Sequence, residues 1–409
     1  MAWRVAGPAV KKLALLLVSL AVCAIALEIG LAFARINTRS FTRFVAGKGT
    51  TRIPNAYYRW TAEGGSEGYI NSHGFRDLER TYDKPPGVFR ILVLGDSYVE
   101  AFQVPLEDGF PRRLEKLLNA QASGGRRYEV ISLGQAGFGT AEEYLRYVNF
   151  GTQYSADLVL LAFLTYNDFQ DNSKYLSGES NEFYFLFDQN RQLVEDRSFL
   201  ESYERSLTFG KRAFHWLKEK SYLASLLSER IYLLRFQASN PRWQATPEEK
   251  PGTPAQPATL GEFSDLNIYA PHPSERWRDA FELTGKIVLK LRDAVEQHGS
   301  RFAVVSLSNA DQVEPDRQER LNRRFGVLDY EQPDRIVEQL AATNGIPFLK
   351  LAPIILAHRL ATGEHPHGFD ERHEGHWNSA GHKLAAEEIA KFLRSSNLLG
   401  DHTEAQAQR

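Results

Sequence analysis

The chain of 409 residues has a single cysteine, Cys23, and a formal net charge of only −2. One cysteine excludes an intrachain disulfide and any cysteine-rich metal site, while the redox compartment stays open. Near-balanced charge leaves no basic footprint for nucleic acid, so no nucleic-acid partner is expected. The apolar fraction of 43% and the charged fraction of 24% are those of a globular protein. At this length the chain holds two domains, or one large α/β domain with insertions.

Long apolar runs are also missing, with one exception. Arg4, Lys11 and Lys12 precede the uncharged run Leu13 to Leu27, and apolar character resumes after Glu28 through Ala34. As a helix, Leu13 to Ala34 spans about 33 Å, enough for a bilayer core. Residues 1–36 therefore read as one N-terminal transmembrane helix, with Glu28 at the outer headgroup level. Cleavage at Ala32-Phe33-Ala34 would instead make the segment a signal and the product secreted. A lipoprotein reading of Cys23 fits less well, because Val22 is bulky and apolar sequence continues beyond it. Arg35, Arg39 and Arg43 balance the basic start, so the positive-inside rule does not set orientation. Signal-anchor logic places the body of the chain outside the cytoplasm, periplasmic or extracellular.

Residues 37–88 form a mixed, aromatic extension whose most distinctive part is "YINSHGFRD" (Tyr69 to Asp77), read as a structural turn or a substrate contact. From Phe89 an α/β rhythm begins. Phe89 to Gly95, Tyr128 to Gly134 and Ala156 to Leu164 read as strands, with helices from Phe110 to Ala120 and from Thr140 between them. Residues 173–270 break the rhythm with an aromatic segment, a helical pair (Phe199 to Phe236) and the Pro-rich "PEEKPGTPAQPA". We read this as an insertion that covers the sheet edge or recognises a partner. The rhythm returns with a helix from Trp277 to Gln297, the strand Arg301 to Ser308, a helix from Arg335 to Ala342, the strand Ile346 to Lys350 and a last helix from Ser379 to Arg394. The domain thus runs over 89–400 with a tail at 401–409. A parallel sheet with helices on both faces follows from this alternation.

The strand ends carry the chemistry. Ser97 follows the first strand and precedes a helix, whose positive end and backbone N–H would face an oxyanion. Gly137 in "LGQAGFG" can bring a bare N–H to a ligand, and Asn167 in "TYND" offers an amide donor. Five histidines lie between His365 and His382. His376 is singled out as base because Asn378 or Ser379 caps the final helix and fixes its loop. Glu374, two residues earlier, is the expected orienting acid. His365, His367, His373 and His382 read as surface or supporting residues, since the spacing is not that of a zinc helix. No metal or cofactor is expected. Trp377 reads as packing.

"GDSY", "GQAGFG", "YND" and "GHWNSAGH" together resemble the four blocks of the SGNH (GDSL-type) hydrolase superfamily, in order, over Phe89 to Arg394. The resemblance implies a flavodoxin-like three-layer α/β/α fold, here with a helical insertion, and a Ser-His-acid triad. It also implies an oxyanion hole made by Ser97 N–H, Gly137 and Asn167. Two positions depart from the family pattern. The residue three before His376 is His373, where the family has aspartate. Glu374-Gly375-His376-Trp377-Asn378 is instead similar to the "D-x-H-W-N" of alginate O-acetyltransferase-type relatives, which makes Glu374 the expected acid and Asp370 its reserve. Thr165-Tyr166 stand where glycine is frequent. The expected activity is a serine esterase hydrolysing ester-linked acyl groups, acetyl on an extracytoplasmic carbohydrate. Its partners would be an acylated small molecule or polysaccharide and a membrane. Alternatives are an O-acyltransferase onto polysaccharide and an inactive SGNH scaffold for binding or assembly. A phosphate-binding domain lacks a Lys or Arg beside Gly95.

Overall fold

The computed structural model describes residues 7–34, 39–45, 49–178, 182–239 and 258–400. The Pro-rich stretch before Ala258 and the tail 401–409 lie outside them. Five strands form one parallel sheet: β1 (Val88–Gly95), β2 (Arg127–Ser132), β3 (Leu158–Leu164), β4 (Arg301–Leu307) and β5 (Phe348–Lys350). Their order is β5-β4-β3-β1-β2, the flavodoxin-like order, with the direction of winding reversing between β1 and β3. Both faces are covered, which is why β3 reads as an unbroken apolar run and is buried throughout.

Alternation along each strand divides the core in two. Ile91, Val93, Leu158, Leu160, Ala303 and Val305 share a cluster with Leu114 and Leu118 of α2 (Phe110–Ala120) and Ile389 and Leu393 of α8 (Ser379–Ser395). Leu92, Leu94, Val159, Leu161 and Val304 point the other way. They pack with Tyr147 of α3 (Thr140–Asn149), Ile268 of the turn Asp265–Tyr269, Trp277 and Val288 of α6 (Glu275–Gln297), and Val337 of α7 (Gln332–Thr343). The three layers are thus α/β/α.

The extension is fastened to this domain. Two hairpins, Thr42–Val45 with Gly49–Arg52 and Tyr57–Trp60 with Ser66–Tyr69, lie beside the loops that follow β1 and β2. Arg76, 3% exposed, donates to the carbonyls of Glu100, Ala101 and Val104 and to Tyr58 Oη. Arg52 makes a two-pronged ion pair with buried Glu100, and Gln135 donates to Thr50 O. "NSHGFRD" is accordingly a structural turn: Asn71 Oδ1 accepts from His73 N and Phe75 N, and Asp77 receives Arg80 and Ser132 N.

The helix expected after Ser97 is present but short, and one other element differs from expectation. The helix after Ser97 is a single turn, Ser97–Glu100, because Ala101 turns left-handed and Arg76 takes the carbonyls a longer helix would use. The helical pair is three helices: Ser198–Ser206, α4 (Phe209–Lys220) and α5 (Tyr222–Ser239). Thr208 caps α4, and Ser221, in extended conformation, separates α4 from α5. At the N-terminus, α1 (Pro8–Ala34) has no buried residue.

Candidate active site

Ser97 sits at the carboxyl end of β1, at the sheet's switch point, where ligands of doubly wound sheets gather. Asp96 is the cap of its one-turn helix, accepting from Tyr98 N at 2.9 Å. Burial raises the Asp96 carboxyl above its usual range, against the Tyr98 hydrogen bond that lowers it. Close packing fixes the turn, since a Cβ on Gly95 would lie 2.2 Å from Val99 and one on Gly134 2.5 Å from the same side chain.

His376 arrives from the loop before α8. Asn378 caps that helix through Ala380 N and Gly381 N, and its amide ties the loop to His365 O and Gly368 O. A bridge between His367 and Trp377 and a bond from Gly368 N to His376 O complete the support. Trp377 is fully buried, donating to Ser308 Oγ, which makes it the packing residue expected. The result places His376 Nε2 2.8 Å from Ser97 Oγ. Ser97 Oγ has a second acceptor in Asp96 Oδ2 at 3.2 Å.

The carboxylate at the other ring nitrogen is Glu63, which belongs to the extension. Glu63 Oε2 lies 2.5 Å from His376 Nδ1, and Glu63 Oε1 accepts the His376 backbone N–H at 2.7 Å. Burial pushes the Glu63 carboxyl up, but the hydrogen bond and charge of His376 prevail and hold it below the usual carboxylate range. Gly375 makes room: at φ +95, a Cβ there would lie 2.1 Å from Glu63 Oε1. Glu374 does not reach the ring. It pairs with Arg317 and, at 3.7 Å, Arg320, because the left-handed turn at Gly375 parts it from His376. Asp370 is turned to Arg372 on the surface. The acid expected at Glu374, or at Asp370, is therefore corrected to Glu63. Only the "EGG" of a tight turn marks Glu63 in the sequence, and that motif says nothing about which loop it meets.

The three oxyanion candidates stand at the ends of the adjacent strands β2, β1 and β3. Gly137 has φ +81 with nothing within 4 Å of where a Cβ would be, so conformation rather than crowding requires glycine. The Asn167 amide donates to Asp171 Oδ2 at 2.6 Å, while its Oδ1 is buried without a partner. Burial, with Glu182 nearby, holds Asp171 well above the carboxylate range.

His367 and His382 are buried, which lowers them to about 4 and about 3. His367 donates through Nδ1 to Gly375 O and accepts from Ser308 Oγ at Nε2, and His382 Nδ1 accepts from Phe110 N. His365 and His373 stack on each other beside Glu314. Among the described residues no group of three or more His, Cys, Asp or Glu is placed to hold a metal ion.

No protein-family model matches the chain, and no curated protein matches it in sequence. Solved structures do resemble it at low identity. An acetyl xylan esterase is 12% identical at a TM-score of 0.39, covering 74% of this chain and 98% of that one. A catalytic mutant of an acetylxylan esterase from Geobacillus stearothermophilus is 12% identical at 0.37, over 76% and 94%. An alpha/beta hydrolase from the metagenome of Lake Arreo, Spain, is 12% identical at 0.38, over 78% and 99%.

Proposed function

We propose that this protein is a serine esterase, held at a membrane by α1, that removes ester-linked acyl groups through an acyl-enzyme on Ser97. Acetyl groups on an extracytoplasmic carbohydrate are the substrate class that the sequence resemblance implies. The observation that carries the reading is the relay Ser97 Oγ–His376–Glu63, with contacts of 2.8 and 2.5 Å.

Glu63 accepts Nδ1–H and so leaves Nε2 with a lone pair toward Ser97. Ser97 attacks the ester carbonyl as its proton passes to Nε2, and the imidazolium is stabilised by Glu63. The oxyanion is met by Ser97 N–H, Gly137 N–H and the Asn167 amide. The alcohol leaves with the proton from Nε2, and water, deprotonated by His376, releases the acid and regenerates Ser97. A sugar hydroxyl in place of water would convert hydrolysis to transfer.

Support for anchorage comes from α1, whose apolar core averages a hydropathy of 2.5 and is uncovered by protein. An apolar helix that buries none of its side chains against protein is stable in lipid. Glu28 also argues for retention of the segment. It accepts from Ser221 Oγ, Tyr222 N and Leu223 N, so cleavage after Ala34 would uncap α5.

The test uses the full chain in detergent with a fluorophosphonate probe and small acetate esters. Wild type should label and release acetate, and Ser97→Ala should do neither. A wild type that neither labels nor hydrolyses overturns the esterase reading. Acetyl groups accumulating on an offered glycan, rather than as acetate, would replace hydrolysis by transfer.

A further inference from the structure

The helices α4 and α5 are turned inside out for a water-facing surface. On α4, Phe209, Phe214 and Trp216 are 88%, 44% and 62% exposed. At 100° per residue these fall on one broad face, with Leu217 between them. The opposite side carries Lys211, Arg212, Lys218 and Glu219, and of these Lys218 and Glu219 are half-buried toward the protein. Ser40 N donates to Lys218 O, fixing that side inward. On α5, Leu227, Ile231 and Leu234 are 52%, 47% and 66% exposed, at the i, i+4, i+7 spacing of a single stripe.

What lies beside this surface is α1. The Glu28 carboxylate caps α5 through Tyr222 N and Leu223 N, and Ala224 in the same turn is buried. Arg39, just past α1, lies over the Tyr222 ring at 4.6 Å. Glu28 is 16 residues beyond Lys12 in α1. That is about 24 Å of helix, which brings Glu28 close to the far boundary of a bilayer core of about 30 Å. The start of α5 is therefore held at headgroup level. Lys220, exposed and 11 residues after Phe209, lies about 20° from it around α4 and so puts a cation on the apolar face, where it suits anionic headgroups.

We propose that α4 and α5 form a second membrane contact, lying at the bilayer interface with Phe209, Trp216 and the Leu227–Ile231–Leu234 stripe in the acyl-chain boundary. This rests on the reading of α1 as a retained anchor. Contact at α1 and at the α4–α5 pair fixes the orientation of the domain on the membrane, which one flexible anchor would leave free.

The experiment reconstitutes the full chain in phosphatidylethanolamine–phosphatidylglycerol vesicles whose acyl chains carry bromine near the headgroup. Tryptophan emission of wild type and Trp216→Phe is compared, and alkaline carbonate extraction is run in parallel. The proposal expects a carbonate-resistant protein and a bromine-dependent loss of emission that shrinks in Trp216→Phe. A carbonate-resistant protein with equal quenching in both overturns the second contact while leaving the anchor. Equal quenching together with crosslinking through this face assigns the surface to a second copy and overturns it as well. Extraction by carbonate with a shortened N-terminus overturns the anchor, and the second contact with it.

Discussion

Glu63→Gln is the sharpest perturbation of the site. Glu63 is held by two donors on one residue, the backbone N–H and Nδ1 of His376. A backbone N–H cannot become an acceptor, so the oxygen of the substituted amide must stay on it. The amide NH₂ then faces Nδ1 and selects the tautomer in which Nδ1 is the acceptor and Nε2 carries the proton. Such an imidazole cannot take the proton of Ser97. Loss of the orienting carboxylate in a triad costs about 10³–10⁴ in kcat, or about 4 to 5 kcal/mol of barrier. KM should hold, because Glu63 touches His376 and not the substrate. Glu374→Gln is the matched control. It loses a partly exposed ion pair worth about 0.2–1 kcal/mol and should keep kcat within about threefold. Steady-state hydrolysis of an acetate ester, with thermal melts to confirm folding, reads both. A folded Glu63→Gln within tenfold of wild type, or a Glu374→Gln that falls as far, would refute the assignment.

Gly375→Ala should lower kcat by about 10²-fold or more in a folded protein, because the new Cβ occupies the place of Glu63 Oε1. Kinetics on the same ester check this, and unchanged kcat would contradict it. Asn167→Ala should lower kcat by about 10²–10³, the cost of one oxyanion donor, with fluorophosphonate labelling slowed in parallel. Buried His382 stays neutral until about pH 3, whereas the unfolded chain binds that proton near pH 6.5. Its stabilisation is complete above pH 6.5 and is lost as pH falls toward 3. His382→Asn keeps an acceptor for Phe110 N and removes that titration. The loss of unfolding free energy between pH 7 and pH 5, measured by urea titration in detergent, should shrink by about 2 kcal/mol. An unchanged loss would show that His382 is not the group involved.

The sheet was legible because strands buried on both faces are written as continuous apolar runs, as in Leu158–Leu164. The last helix was legible from its cap, Asn378. Ser97 and His376 could be paired because one follows a strand end and the other precedes a helix cap. Glu63 could not, since it meets His376 across 313 residues of chain. Its contact depends on how a hairpin docks, and neither periodicity nor propensity encodes that. Glu374 misled for a local reason: proximity in sequence stood in for proximity in space, and one left-handed glycine undid it. The shortness of the expected helix after Ser97 was not legible either, because Arg76, which takes its carbonyls, comes from the extension.

The extension is therefore part of the site, and the same contacts settle how firmly Glu63 is held. Glu63 is itself partly exposed, at 27% of its side chain, so its own burial contributes little to keeping it in place. The hairpin that carries it is anchored elsewhere. Tyr58 and Ile70 are buried against Phe102, and Phe75 enters the core beneath the sheet. Each such side chain contributes about 1.5–3 kcal/mol by burial alone. Arg76 adds bonds to the carbonyls of Glu100, Ala101 and Val104, each hydrogen bond to its charged guanidinium worth about 1.5–3 kcal/mol. Withdrawal of the carboxylate by undocking the hairpin would forfeit these contacts together, several kcal/mol against the weak exposed contacts of the turn itself. Trp60 Nε1 bonded to Glu63 O and Gly65 N bonded to Gln103 O tie the turn to both sides of that dock. The acid is thus preorganised by residues whose first role is packing, and the orientation of His376 is a property of the folded extension as well as of its own loop.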